Sequence, residues 1–215
     1  MSIATEGPRD LGFILSELPG TLSRDVVIIL SGSGKLDAGT VLGQIKAGAA
    51  TAAAKAGGNT GNGTISAVTL LAGAKVGVYK LRFTAATTWN LVDPDGFEAG
   101  AGANGVANAN DLAFTTTAGG TPFVAGDGFD ITVAAGSGKY VPSPEALTAG
   151  KAGAEIATAI LGYGVDATAA DVEAVVVGND AEVKKPMLIY EASVDNDTKR
   201  NAKLTQLRSV NIKAR

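Results

Sequence analysis

Short stretches of alternating apolar and polar residues recur along this chain and predict a protein built mainly of β-strands. The first apolar run, residues 24–30, is rich in β-branched side chains (Val26, Val27, Ile28, Ile29) and predicts a strand buried on both faces. Turns at Ser31-Gly32-Ser33-Gly34 and Leu36-Asp37-Ala38-Gly39 lead to a strand over 40–46. Ahead of these, the breaker pairs Gly7-Pro8 and Pro19-Gly20 enclose Leu11, Phe13 and Leu15 at alternate positions. That segment reads equally as an extended arm over 1–20 or as an ordinary first strand.

Residues 47–57 are almost entirely Ala, Gly and Thr around one Lys, and are expected to be a linker between domains. Beyond them the period of two returns. Strands are expected over 64–71 and 76–85, the second with Tyr79, Leu81 and Phe83 facing one way and Lys80, Arg82 and Thr84 the other. Trp89 and Leu91 extend the inward series to the turn Asp93-Pro94-Asp95-Gly96. Residues 100–110 are expected to be a loop. Leu112, Phe114 and Thr116 alternate again, and Gly126-Asp127-Gly128 turns into Phe129, Ile131 and Val133. Most of the large aromatic residues fall in this block, which predicts a β-sandwich of about six short strands with its own core.

After Gly136-Ser137-Gly138 the pattern shifts once more. Strands are expected at 139–141, 155–161 and 172–177, with a Pro/Ala/Gly loop over 142–153. Residues 181–185 are ambiguous. Asp195 or Asn196 is placed to cap a helix ending near Arg208, with Leu204 and Leu207 on one face, and 210–215 closes as a strand. The expected organisation is an arm over 1–20, a discontinuous domain from 21–46 and 137–215, the linker 47–57 and an inserted sandwich over 58–136.

Composition narrows the chemistry. The 215 residues include no His and no Cys, which excludes thiol nucleophiles, disulfides, Cys/His zinc sites and imidazole bases. The formal net charge of −3 offers no basic excess for nucleic acid. Glu6, Arg9 and Asp10 near the start are unlike a signal peptide, and the longest strongly apolar stretch, 26–30, is far short of a membrane span. A soluble protein made in the cytoplasm, without enzymatic activity or a cofactor, is expected.

Four motifs echo known chemistry, and each has a simpler explanation. Gly32-Ser33-Gly34-Lys35 and Gly136-Ser137-Gly138-Lys139 echo the end of a phosphate-binding loop. Both lack the leading Gly (Ile29 and Val133 stand there) and the Ser or Thr after the Lys (Leu36 and Tyr140). Asp93-Pro94-Asp95-Gly96 resembles the opening of a calcium loop but has Phe97 at the fifth position and Asn104 at the twelfth, so a hairpin turn is expected. Asp127 with Asp130, or Asp171 with Glu173, can be posed as a carboxylate pair, although nothing in their spacing marks them. The basic residues Lys199, Arg200, Lys203 and Arg208 suit a solvated helix whose charges match its dipole.

With the middle removed, the terminal segments resemble the lambda-type phage head decoration protein family. The residues carrying this are Ser23-Arg24-Asp25-Val26-Val27-Ile28 and Leu36-Asp37-Ala38-Gly39-Thr40-Val41-Leu42-Gly43-Gln44-Ile45. They continue through Gly138-Lys139-Tyr140-Val141, Ala157-Thr158-Ala159-Ile160-Leu161, Val165-Asp166-Ala167, Val175-Val176-Val177 and Asp180-Ala181-Glu182-Val183. The closing helix and Val210-Asn211-Ile212-Lys213-Ala214-Arg215 complete the set. The middle looks like a β-sandwich module of longer members, inserted where short members run almost directly into Gly-Lys-Tyr.

The resemblance implies a mostly β chain: a small, discontinuous β-tulip-like decoration domain, an inserted Ig-like β-sandwich and one C-terminal helix. It implies a homotrimer on the outside of the virion, bound to the major capsid protein at three-fold positions and reinforcing the shell against internal DNA pressure. Neither nucleic acid, membrane nor cofactor takes part. The N-terminal arm, through Arg9, Leu11, Phe13, Ile14 and Leu15, is expected to add to a sheet of the capsid protein, and the insert to point outward. The other reading is a binding module whose insert recognises a host glycan or receptor.

Overall fold

Residues 8–215 are described by the computed structural model. The chain divides into two units, one made of the residues up to Lys46 together with Gly138–Arg215, the other of Ala47–Ser137. In chain order the first unit opens with β1 (Ile14–Glu17), β2 (Arg24–Ile29), β3 (Gly34–Leu36) and β4 (Val41–Gln44). Residues 1–7 of the expected arm lie outside the described residues. Of the two readings of that segment, Ile14–Glu17 follows the second: it is a strand within a sheet of its own unit.

The second unit follows with β5 (Ala47–Ala54), β6 (Thr64–Ile65), β7 (Thr69–Leu70), β8 (Gly77–Phe83), β9 (Thr88–Val92), β10 (Glu98–Ala103), β11 (Ala107–Ala109), β12 (Leu112–Thr117) and β13 (Gly128–Ala135). One sheet has five strands in the order β10-β9-β8-β13-β5. The other runs β11-β12-β6, with β7 also on β12. Tyr79, Leu81, Phe83, Trp89, Leu91, Leu112, Phe114, Phe123 and Ile131 are buried, and the rings of Phe83 and Phe123 stack with centroids 3.9 Å apart. The Trp89 indole N–H donates to Thr116 Oγ1 at 3.0 Å, which satisfies its one donor inside the core.

Three expectations are corrected in this unit. The stretch read as a linker is largely β5, paired residue for residue with β13 from Phe129↔Ala54 to Val133↔Ala50. Its small side chains carry no hydrophobic period, but backbone pairing does not need one. The expected loop 100–110 contains most of β10 and all of β11, where Gly and Ala again hide the alternation. Gly102 is required there, because a Cβ would lie 2.4 Å from the Trp89 ring. The single strand expected over 64–71 is two short ones, β6 and β7.

The chain then returns to the first unit with β14 (Tyr140–Pro142), β15 (Ala157–Leu161), β16 (Val165–Ala167), β17 (Val172–Val177), β18 (Ala181–Val183), a 3-10 turn at Lys185–Met187, α1 (Asp197–Arg208) and β19 (Ile212–Ala214). Five strands close a barrel, β14-β2-β17-β15-β4, beside a three-stranded sheet β1-β18-β19 and a pair β16-β3. Ile29, Leu42, Ala159, Leu161 and Val176 form one buried cluster. Phe13, Val41, Ile160, Val177, Val183, Leu207 and Ile212 form another. Gly43 sits where a Cβ would lie 1.9 Å from the Ala154 carbonyl oxygen, so the crossing of β4 and that loop admits glycine alone. Asn196 caps α1, its side chain accepting from the Lys199 N–H at 3.1 Å.

The strand over 24–30 is present as β2, but burial on both faces is corrected. Ile29 is fully buried while Val26 is 69% and Ile28 43% exposed. A barrel strand has one face inward and one outward, so the β-branched run supplies both the core and an apolar exterior. The chain is mostly β, with a single α-helix among the described residues.

Candidate functional site

The carboxylates posed as reacting pairs are engaged in holding turns. Asp127 is buried and accepts from the main-chain N–H groups of Thr60 and Gly61, both at 2.9 Å, and of Val124 at 3.1 Å. Burial raises the pKa of its carboxyl, but the hydrogen bonds from these N–H groups together outweigh that and hold it below the ordinary value. Asp130 pairs with Arg82 at 2.5 Å on the sheet. Asp171 accepts from Lys139 Nζ at 2.5 Å and the Ser31 N–H at 2.9 Å. Its hydrogen bond to Lys139 is the largest influence lowering its pKa. Glu173 is exposed on β17.

At the turn after β9, Lys75 Nζ stands 2.5 Å from Asp93 Oδ2 and 2.6 Å from Asp95 Oδ2. An ammonium thus neutralises the carboxylates that a calcium loop would offer. Asp93 Oδ1 also accepts from the N–H groups of Asp95 and Phe97, an Asx-type turn. Gly34-Lys35 opens β3 and Lys139 precedes β14, so no helix N-terminus follows either glycine pair. Among the described residues no cluster of three or more acidic side chains is placed to hold a metal. No helix among them is long and apolar enough to cross a membrane.

The five residues expected to face a shell protein are divided by the fold. Leu11 has a φ of 57° and donates its N–H to the Gly162 carbonyl at 2.9 Å. A turn there, with Gly12 N–H on Arg9 O at 2.9 Å, interrupts the alternation read from the sequence. Phe13 is buried, with Ile14 packed against the same cluster. Phe13 O accepts from the Lys184 N–H at 2.7 Å, and Gly12 O from Lys184 Nζ at 2.9 Å. A register shift between Ile14 and Ser16 then turns Leu15 outward. Arg9 and Leu15 remain exposed, and β1 is an edge strand among the described residues, where it pairs with β18 alone.

Sequence reasoning missed a surface in the same stretch. Leu15, Leu18, Leu22 (66% exposed), Val26 and Ile28 are all solvent-facing. The Leu18 N–H donates to Ser23 Oγ at 3.1 Å, and that hydroxyl donates to Asp180 O at 2.9 Å, so the 18–23 turn is fastened to the unit. An Arg24–Glu17 ion pair links the ends of β1 and β2. Five large aliphatic side chains are thus exposed within fourteen residues of sequence. The available signal was four β-branched residues in succession, more than a one-sided strand requires.

The chain is similar over 43% of its length to two crystal structures of Xanthomonas campestris FlgL, at 24% and 26% identity and a TM-score of 0.33 in both. It spans 32% and 31% of those chains, about a third of their length. No curated protein matches the chain. A family model described as Bacteriophage lambda head decoration protein D matches residues 3–89 and 94–212, nearly the whole sequence. The chain belongs to the phage lambda head decoration protein D family and has a structural role on the phage capsid.

Proposed function

We propose that this protein binds the outside of the mature capsid as a trimer at three-fold positions and holds the shell against internal DNA pressure. The tulip-like reading applies to the first unit and the Ig-like sandwich reading to the second. The observation that carries the trimer is the set of exposed aliphatic side chains Leu18, Leu22, Val26 and Ile28 on the first unit. Burying such side chains against a second copy removes apolar area from water at about 25 cal/mol per Å², and a closed ring of copies leaves none of it exposed.

The shell contact is assigned to residues 1–9, Leu15 and the open edge of β1. An edge strand offers unpaired peptide groups to an added strand. One such contact is weak, but three on one trimer raise the effective concentration of each after the first. Light scattering of the full chain tests the trimer: wild type gives three times the chain mass. Val26→Asp, at a 69% exposed position, gives a folded monomer. A wild-type monomer at high concentration, or a trimeric Val26→Asp, contradicts the reading.

A further inference from the structure

Among the described residues, three that are not glycine have a positive φ: Asp180 at 46°, Asn211 at 59° and Leu11 at 57°. Asp and Asn tolerate the left-handed region because a short polar side chain can bond locally, whereas a bulky apolar residue is strained there. Such strain persists only where the surroundings hold it, and it clusters at functional sites. The surroundings of Leu11 hold it on both sides. Its N–H donates to Gly162 O at 2.9 Å, and its carbonyl accepts from the Ile14 N–H at 3.0 Å. Before it, the Asp10 carboxylate accepts from the Gly164 N–H at 3.2 Å, and Arg9 O from the Gly12 N–H at 2.9 Å. After it, Lys184 grips the chain twice, with its ammonium on Gly12 O and its N–H on Phe13 O.

The Leu11 side chain is half-buried and lies over Gly162, where a Cβ would stand 3.1 Å from its Cδ2. It is turned toward its own unit. The backbone turn has a further effect, because it ends a strand. The pairing of β1 with β18 reaches Ile14↔Val183, and the bond from the Lys184 N–H to Phe13 O carries it one residue further. An extended residue at position 11 would let the preceding chain run on in line with β1. A left-handed one breaks that line, so the chain before Gly12 leaves the sheet beside the 162–164 loop.

We propose that Leu11 is a positioning residue: its left-handed turn, pinned by Asp10 and Lys184, takes residues 1–9 off their own sheet and directs them to the shell protein. The proposal rests on the capsid-decoration reading and on the assignment of residues 1–9 to the shell contact. A backbone turn and a side chain touching the shell predict opposite results at this position. Occupancy of undecorated, expanded capsids is titrated with wild type, Leu11→Gly, Leu11→Pro and a chain lacking residues 1–7, each first shown to be folded by circular dichroism. Glycine takes a positive φ without strain and keeps the N–H, so Leu11→Gly binds as tightly as wild type although the side chain is gone. Proline is fixed at negative φ and has no N–H, so Leu11→Pro falls to the level of the shortened chain.

A second pair of variants keeps the test open should Leu11→Pro fail to fold. Asp10→Ala removes the acceptor for the Gly164 N–H and weakens occupancy about fivefold, as for one lost hydrogen bond, while Asp10→Asn keeps an acceptor and restores it. Three results overturn the proposal and leave the shell-contact assignment standing: Leu11→Gly as weak as the shortened chain, a folded Leu11→Pro as tight as wild type, or Asp10→Asn no better than Asp10→Ala. Equal occupancy by wild type and the shortened chain overturns the assignment and the proposal with it. A wild-type chain that does not occupy the shell overturns the decoration reading as well.

Discussion

At the scale of single residues, charge in this protein is used to fasten turns and loops. Lys203 on α1 is 2% exposed, and its ammonium donates to Ser143 Oγ at 2.9 Å, Pro144 O at 2.5 Å and Glu155 O. All three of its N–H donors are used. This joins the helix to the loop that supplies Ala154 against Gly43. Lys203→Met keeps the length but leaves three acceptors without a donor, and is expected to destabilise the first unit by about 2 kcal/mol. Denaturant unfolding checks this, and an unchanged midpoint contradicts it.

Asp127 plays the corresponding part in the second unit, and its sign with pH follows from its partners. Three peptide N–H bonds hold its folded pKa below the unfolded value. The stability it contributes is therefore full above about pH 4 and is lost as pH falls through the folded value. Asp127→Asn lowers the melting temperature of the second unit at neutral pH, because the amide cannot accept at both oxygen positions. It also flattens the acid limb of the melting profile. Parallel profiles for wild type and variant across pH 2.5–7 contradict this role.

At the scale of elements, legibility in the sequence followed side-chain size. Strands β8, β9, β12 and β13 bury Tyr79, Leu81, Trp89, Phe114 and Ile131, and their period of two was plain. Helix α1 was legible from Asn196 and the Leu204/Leu207 pair. β5 and β10 were hidden, since Ala and Gly pair through the backbone without contributing a period. β1 was hidden because a left-handed Leu11 and a bulge before Ser16 remove its alternation. Val26 and Ile28 were misread as buried, since a β-branched run looks the same whether one face of the strand is covered or both.

The pairing of β5 with β13 sets the bounds of a fragment expected to fold alone. Residues 47–137 keep the five-stranded sheet whole and are expected to unfold cooperatively as a monomer. Residues 58–136 lack β5, leave β13 as a raw edge, and are expected to melt lower or to aggregate. Calorimetry of the two fragments decides. A fragment 58–136 as stable as 47–137 means that β5 contributes nothing to the unit.

At the scale of the whole molecule, the family assignment shows a structural role on the phage capsid, and the exposed aliphatic side chains and open strand edge support the proposed reading of a clamp that works by many weak contacts. Residues 1–7 belong to the segment assigned above to the shell contact, and their removal leaves Phe13 and β1 in place. Removing residues 1–19 instead also takes Phe13 and β1 out of the first unit, at a cost of about 3–5 kcal/mol for the aromatic side chain alone. The most direct measurement is a cryo-EM reconstruction of undecorated, expanded capsids incubated with the purified full chain and, in parallel, with the chain lacking residues 1–7. The account predicts trimeric density at the three-fold positions for the full chain, and near-empty positions for the truncated but folded protein. Bare three-fold positions with the full chain, or equal occupancy by both proteins, would contradict it.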